Sequence, residues 1–175
     1  MISITKATAE DNHTIAAIGK IAVGETHRDS TTAENLNEFL ENNYNDEAIK
    51  KELDDENNIY HLVSYNGKPA GFSKIILNTA EPGIAEQNVT KLDRIYLLKE
   101  FFGLKLGLEL LNFNITLAKN NEQSGIWLYT WTGNNRAIDF YLKAGFKITG
   151  SHKFYVTETH YNLNHLMFLK FLPAL

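Results

Sequence analysis

The sequence of 175 residues contains no cysteine. Disulfides, thiolate metal sites and a cysteine nucleophile are therefore excluded. It also lacks any run of about 18 apolar residues, the length that a membrane-spanning helix needs. Its start, MISITKATAEDNH, has neither the basic segment nor the apolar segment of a signal peptide. These absences favour a cytoplasmic protein with no membrane partner.

Length and composition are those of one globular domain. A chain of this length is long enough for one well-packed core and short for two. Hydrophobic residues make up 43% and charged residues 22% of the sequence, as in ordinary globular proteins. The net charge of -4 argues against non-specific nucleic-acid binding, because that binding needs a basic face.

The acidic residues are concentrated in residues 25–56, which hold eleven Asp or Glu against three Arg or Lys. Two interpretations stay open at this point. In the first, the charges lie on the solvent-facing sides of helices. In the second, they form an acidic lobe that binds a cationic ligand, and the rest of the chain, which is basic, binds an anionic ligand.

The order of hydrophobic patterns predicts a mixed α/β sheet with helices on both sides. The first half reads as a strand, three helices and a hairpin that turns at NGKP, with a loop after it. The second half reads as strand, helix, strand, helix and two closing strands: KLDRIYLLKEF, GLKLGLELLNFNITLAKNN, GIWLYTW, GNNRAIDFYLKAGF, FKITGSHKFYV and NHLMFLKFL.

The helix predicted over 103–121 carries two apolar stripes, which indicate burial on a wide face. The members of the two stripes are Leu104, Leu108, Leu111, Ile115 and Ala118, and Leu106, Leu110, Phe113 and Leu117.

This helix begins inside the turn FGLKLG, residues 102–107. Free N–H groups and the positive end of the helix dipole at such a turn suit a phosphate, and glycine lets the backbone approach the phosphate oxygens. A lysine, Lys105, stands where a further glycine is expected. Taken alone, the turn is compatible with a phosphate site or with an ordinary loop.

The segment NNRAIDFYLKAGF predicts a helix with an asparagine cap and with Gly145 as a left-handed stop. Tyr141 lies on its apolar face. Its side chain is either a core residue with a satisfied hydroxyl or a proton donor to a leaving thiolate.

Together these two segments resemble the acetyl-coenzyme A-binding half of the GCN5-related N-acetyltransferases (GNAT). The family pattern Asn-x-x-Ala-x-x-Phe-Tyr-x-Lys-x-Gly-Phe is met in full by residues 134–146. The loop pattern Gln/Arg-x-x-Gly-x-Gly/Ala is met only at Gly107, since Phe102 and Lys105 depart from it. Within the family the chain is most similar to the PaiA-type polyamine acetyltransferases.

The resemblance implies a single GNAT-like domain over 1–175, with an amine-side half (1–90) and an acetyl-coenzyme A-binding half (91–175). It implies a mixed, mostly antiparallel sheet in which strands 92–98 and 126–131 splay apart. Dimerisation through the C-terminal strands is left open.

The resemblance also implies roles for individual residues. Acetyl-coenzyme A is the cosubstrate, and a small-molecule amine is the other partner. Tyr141 is the expected proton donor and Asp93 the expected base, although Asp93 could equally be a surface carboxylate paired with Lys91 or Arg94. The residues expected to bind the cofactor are Ile95, Tyr96, Leu97, Phe102, Gly103, Leu104, Lys105, Leu106, Gly107, Asn134 and Lys143.

Two further residues, Glu25 and His27, are expected on the substrate side, in the loop that borders the amine pocket of the family. The six histidines lack metal-ligand spacing, so no metal is expected. The function implied is acetyl transfer from acetyl-coenzyme A to a primary amine, with a polyamine as the expected acceptor. The alternative is a degenerate module that binds an acyl-coenzyme A or a ligand without turnover.

Overall fold

The computed structural model describes residues 1–172. Within them, seven strands form one sheet in the order β1-β2-β3-β4-β5-β7-β6. The strands are β1 (Ile2–Lys6), β2 (Ile59–Tyr65), β3 (Lys68–Ile76), β4 (Thr90–Leu97), β5 (Gly125–Trp131), β6 (Lys147–Tyr155) and β7 (Tyr161–Lys170). The helices are α1 (Asn12–Thr26), α2 (Ala33–Asn43), α3 (Asp46–Leu53), α4 (Leu106–Asn120) and α5 (Asn135–Lys143), with 3₁₀ turns at Ala9–Asp11 and Lys99–Phe101.

The sheet is mixed and mostly antiparallel, as predicted. β1 with β2, β2 with β3, β5 with β7 and β6 with β7 all pair antiparallel, whereas β4 pairs parallel with β5. The parallel pairs are Thr90 with Ile126 and Lys91 with Trp127. Thr90 and Lys91 lie just before the predicted strand 92–98, and Ile126 and Trp127 are the first two residues of the predicted strand 126–131. The sequence predicts that these two strands diverge.

The chain folds as two compact units. The first comprises residues 1–75 and 94–114, and the second comprises residues 76–93 and the chain from Ile115 onwards. β4 and α4 therefore each contribute to both units. The predicted division at residue 90 stays a prediction, and residues 173–175 of the predicted domain lie outside the described part of the chain.

The first unit is built around the apolar face of α1 and the hairpin β2–β3. Ile15 and Val23 of α1 share a core cluster with Tyr60 and Phe72. Side-chain caps start the two acidic helices, as the Thr32 hydroxyl accepts a hydrogen bond from the Asn35 N–H and Asn45 does the same for α3. The hairpin turns at Asn66 and Gly67, between β2 and β3, as predicted.

The prediction that residues 91–101 form one strand is wrong at its C-terminal end, because β4 ends at Leu97. The Leu98 N–H donates to the Ala70 carbonyl at 2.9 Å, and a 3₁₀ turn then swings Phe101 into a cluster with Val63 and Leu110. The apolar run resembles a strand because the turn also buries its side chains.

The wide buried face predicted for α4 is present, but three members of its two stripes do not belong to it. Leu104 precedes the helix, and Leu104, Leu108 and Phe113 are exposed. The residues that α4 buries come from both stripes, together with Asn114, and at about 100° per residue they span roughly 140° of the helix: Leu106, Leu110, Leu111, Asn114 and Ala118. A buried face of this width is the usual pattern of a helix that covers a sheet on one side and meets solvent on the other.

A buried histidine on β2 makes the stability of the first unit depend on pH. His61 is 4% exposed, its ring lies 4.7 Å from that of Phe113, and its Nδ1 has no hydrogen-bond partner among the described residues. Burial, with a smaller effect of Lys6, lowers the pKa of His61 to about 4. The folded state therefore binds fewer protons than the unfolded chain between pH 6.5 and 4.

We predict that this histidine makes the protein lose stability as the pH falls from about 6.5 towards 4, by up to about 3 kcal/mol. His61→Leu should flatten this part of the curve of unfolding free energy against pH, measured by urea denaturation. His61→Gln, which also cannot titrate, should show the same flattened slope at a different absolute stability. A slope that either variant leaves unchanged would contradict the assignment to His61.

Candidate functional site

The loop between β4 and α4 has an unusual backbone. Gly103 has a φ of 85° and Lys105 a φ of 60°, so both residues adopt the left-handed conformation. Glycine does this without strain, whereas a lysine does so at a cost of roughly 1 kcal/mol. The loop therefore has the conformation expected of a two-glycine turn, although its second left-handed residue is a lysine.

This loop and the first turn of α4 present a row of backbone donors. Within the described chain, the first N–H after Phe102 that donates to another backbone group is that of Glu109, to the Lys105 carbonyl at 3.0 Å. The N–H groups of residues 103–108 have no acceptor among the described residues. A Cβ placed on Gly103 would have nothing within 4 Å. Such a set of donors at the positive end of a helix fits a pyrophosphate.

Alternate residues of β4 direct their backbone groups towards β3. A Cβ on Gly71 would overlap the Tyr96 carbonyl oxygen, and the Leu98 N–H bonds to Ala70. Successive residues of a strand direct their backbone groups to opposite edges. The backbone groups of Ile95 and Leu97 therefore face the edge away from β3, which is the orientation needed to bind an extended ligand.

An ion network of partly buried side chains holds Arg94 of β4 within the first unit, and no sequence pattern predicted it. The Glu52 carboxylate accepts hydrogen bonds from Lys74 at 2.6 Å, Tyr60 at 2.7 Å and Arg94 at 2.9 Å. Arg94 also donates to the Tyr60 hydroxyl at 2.7 Å and lies over the Tyr44 ring. Burial alone would raise the pKa of Glu52, but Arg94, with the Lys74 and Tyr60 hydrogen bonds, holds it below its usual value.

Asp93, the predicted base, lies in the second unit and pairs with Lys91. The Lys91 ammonium is 2.8 Å from Asp93 Oδ1, and the side chains are 26% and 20% exposed. This pair is one that the sequence raised as the alternative to a base. The same ammonium lies 5.5 Å from the centroid of the Trp127 ring, so the carboxylate stands next to an aromatic surface.

Three other predicted site residues lie on or just before α5, also in the second unit. Asn134 is the N-cap, and its Oδ1 accepts a hydrogen bond from the Ala137 N–H at 3.1 Å. Tyr141 is 7% exposed and packs edge-on against Phe140 and Phe146. Lys143 is exposed. The predicted cap and the predicted left-handed stop, Gly145 with a φ of 96°, are both present.

The predicted substrate-side residues lie at the C-terminal end of α1. Glu25 is 3.6 Å from the Lys99 ammonium, which belongs to the turn after β4. His27 caps the helix through its backbone N–H, which donates to the Val23 carbonyl. Burial lowers the pKa of His27, which favours the neutral form of its ring.

The structure thus gathers the predicted residues into two groups. Those of β4 and the loop lie in the first unit with Glu25 and His27, and Asp93 lies in the second unit with Asn134, Tyr141 and Lys143. Within residues 1–172, no group of three or more histidine, aspartate or glutamate side chains could hold a metal ion. None of the described helices has the length and apolar character required to cross a membrane.

The sequence is similar to those of known acetyltransferases. The sequence model of the acetyltransferase (GNAT) family matches residues 30–146. An uncharacterized N-acetyltransferase encoded in the pepI 3′ region of Lactobacillus delbrueckii subsp. lactis is 25% identical over 153 residues, which is 87% of this chain and 88% of that protein.

Solved structures of the same fold cover the whole described chain. The PaiA N-acetyltransferase from Thermoplasma acidophilum in complex with coenzyme A superposes with a TM-score of 0.79 at 20% identity, covering 98% of this chain and 99% of that one. The ribosomal-protein-S18-alanine N-acetyltransferase from Escherichia coli has a TM-score of 0.72 at 18% identity, covering 99% and 96%. At these identities the likeness establishes the fold.

We predict that Glu52→Gln destabilises the protein by about 3 kcal/mol, because it leaves Lys74 and Arg94 as two poorly exposed cations without their anion. Urea denaturation followed by circular dichroism measures the change. Glu56→Gln removes the same charge at an exposed position of the same segment and should change the free energy of unfolding by less than about 0.5 kcal/mol. Equal effects of the two variants would show that the network contributes nothing specific.

Proposed function

Because the chain belongs to the acetyltransferase (GNAT) family and is an N-acetyltransferase of that type, we propose that it transfers the acetyl group of acetyl-coenzyme A to a primary amine of a small polyamine. The observation that carries the cofactor half of this proposal is the row of N–H groups over residues 103–108 with no acceptor among the described residues. We also propose that the reaction takes place in the cytoplasm and that the acceptor is a small molecule.

In this proposal most of the cofactor-binding residues belong to the first unit. The loop from Phe102 to Gly107 binds the pyrophosphate through backbone N–H groups, so the phenylalanine at 102 carries little penalty. Ile95 and Leu97 bind the pantetheine arm through the backbone, and Tyr96, whose backbone faces β3, lies between them. The orientation of Ile95 and Leu97 towards the open edge of β4 supports this role. Asn134 and Lys143, which belong to the second unit, are the remaining proposed cofactor-binding residues.

The reaction proceeds by direct attack in a ternary complex. The ammonium of the acceptor loses a proton to Asp93, and the amine nitrogen then attacks the thioester carbonyl carbon. The carbon–sulfur bond breaks, and Tyr141 protonates the departing thiolate. The second proton that the nitrogen loses on becoming an amide restores the Tyr141 hydroxyl, and Asp93 releases the first proton to solvent. No acetyl group is transferred to the protein, so the absence of cysteine is no obstacle. The buried position of Tyr141 suits a donor that must act away from water.

The acidic segment supports a cationic acceptor less strongly than its composition suggested. Several of its carboxylates already have partners within the protein: Glu41 pairs with Lys20, Asp46 with His13, and Asp54 with Lys50. We retain Glu25 and His27 as residues on the acceptor side, where a carboxylate and a neutral imidazole would receive further ammonium groups of a polyamine.

The proposal is tested by measuring thiol release from acetyl-coenzyme A with spermidine, spermine, putrescine and simple alkylamines. We expect turnover with at least one polyamine. Tyr141→Phe should lower kcat about 100-fold, because the thiolate loses its proton donor, while the affinity for coenzyme A stays within about twofold. Tyr155→Phe, at an exposed tyrosine, is the control. A folded protein that turns over no amine would refute the proposed function, and a fully active Tyr141→Phe would make that tyrosine structural.

Substitutions at Lys105 separate the charge of the loop from its backbone conformation. Lys105→Gly removes the ammonium and the left-handed strain, whereas Lys105→Ala removes the ammonium and keeps the strain. We predict that both weaken coenzyme A binding by about 5- to 10-fold in calorimetry, since a phosphate loses a counter-charge. The glycine variant should be about 1 kcal/mol more stable than the alanine variant.

Lys68→Ala, at the exposed first residue of β3, is the matched control for the lost charge and should bind coenzyme A as the wild type does. Coenzyme A binding to Lys105→Gly that equals or exceeds the wild-type affinity would mean that the Lys105 ammonium does not contact a phosphate.

A further inference from the structure

The second unit holds an alkylammonium group in a cage of aromatic rings and a carboxylate. The ammonium belongs to Lys91, and the cage consists of Asp93, Trp127 and Tyr129. Lys91 Nζ is 2.8 Å from Asp93 Oδ1, 5.5 Å from the centroid of the Trp127 ring and 6.0 Å from that of Tyr129. Aromatic faces with one carboxylate are the combination by which proteins recognise organic cations.

The aromatic walls of the cage are held in place without help from Lys91. The Trp127 Nε1–H donates to the Thr79 carbonyl at 2.8 Å, and the indole is 3% exposed. The Tyr129 hydroxyl donates to Glu81 Oε2 at 2.6 Å, and its ring stacks on His152 at 4.1 Å with an interplanar angle of 11°. The cage is therefore built before any cation enters it.

The occupant, in contrast, is a side chain that can leave. Lys91 is joined to β4 by four flexible methylenes, and a quarter of its side chain is exposed. When Lys91 moves out to solvent, the Asp93 carboxylate and the two aromatic rings that its ammonium contacts remain in place.

The cage lies at the end of the parallel pairing between β4 and β5. Lys91 pairs with Trp127 in the parallel ladder of β4 and β5. Asp93 and Tyr129 follow two residues later on each strand, and therefore on the same face as Lys91 and Trp127. Neither of these two is paired across the ladder in the described residues. The carboxylate and the phenol thus stand where the two strands stop pairing.

We propose that the cage of Asp93, Trp127 and Tyr129 is the binding site for the ammonium of the acceptor, and that the Lys91 ammonium occupies it until the acceptor displaces it. This inference rests on the proposed function, because it assigns the acceptor site of that reaction. The ligand class is a primary alkylammonium ion. The lysine side chain is itself such an ion, so its position shows that a methylene-linked ammonium fits.

The proposal gives Lys91 a role opposite to that of an ordinary substrate-binding residue. Its ammonium competes with the acceptor for the same carboxylate and rings, so its removal strengthens binding. Displacement also places the acceptor ammonium against Asp93, the carboxylate that takes its proton. Lys91 is in this sense a specificity-determining residue, because a ligand that carries no cation has nothing with which to displace it.

Tryptophan fluorescence tests the proposal without any turnover. The chain has two tryptophans, so Trp131→Phe leaves Trp127 as the single reporter, and spermidine is titrated with coenzyme A present or absent. We expect the Trp127 signal to saturate with spermidine. Lys91→Met in this background should bind spermidine about tenfold more tightly, and Tyr129→Leu about tenfold more weakly. Lys147→Met removes an exposed lysine from the same unit and should change the affinity less than about twofold.

Thermal unfolding of each variant verifies that it is folded, and KM values for spermidine should follow the same order. An affinity that Lys91→Met leaves unchanged or weakens would overturn the proposal. Turnover of amines that is insensitive to the Lys91 and Tyr129 substitutions would also overturn it while leaving the proposed function intact. Saturable spermidine binding at Trp127 without turnover on any amine would instead support the cage and refute the proposed function.

Discussion

The Glu52 carboxylate is the interaction on which the arrangement of the first unit depends. It accepts hydrogen bonds from Lys74 of β3, Tyr60 of β2 and Arg94 of β4, so one residue of α3 joins a helix to three neighbouring strands. Two cations surround one anion there, and a low dielectric strengthens the attraction between them. Because Arg94 is fixed, the strand that continues from it to Leu97 and into the loop has a defined starting point.

The loop after β4 contains one strained residue, and the backbone N–H donors of the loop are presented at the start of α4. Lys105 adopts a left-handed backbone that glycine would adopt freely, and the N–H groups that follow remain available at the start of α4. Local strain of this kind persists only where the surrounding structure holds it. Phe101 and Leu106, buried on either side of the loop in one apolar cluster, supply that support.

Local signals in the sequence predicted a large part of this structure. The asparagine cap and the Gly145 stop of α5 were predicted because capping depends on residues within one turn, and the hairpin at Asn66–Gly67 was predicted for the same reason. The end of β4, the exposure of Leu108 and the Glu52 network were missed. Each depends on contacts between residues far apart in the chain, such as Glu52 with Arg94, which periodicity does not report.

We propose that the acetyl group passes directly from coenzyme A to an amine. Isotopically labelled acetyl-coenzyme A, incubated with the protein and an equimolar mixture of polyamines and monoamines, tests it by mass spectrometry. We expect the label on a primary amine of a polyamine, in proportion to the free coenzyme A released, and no label on the protein. Label on the protein, or on no amine while the protein remains folded, would contradict it.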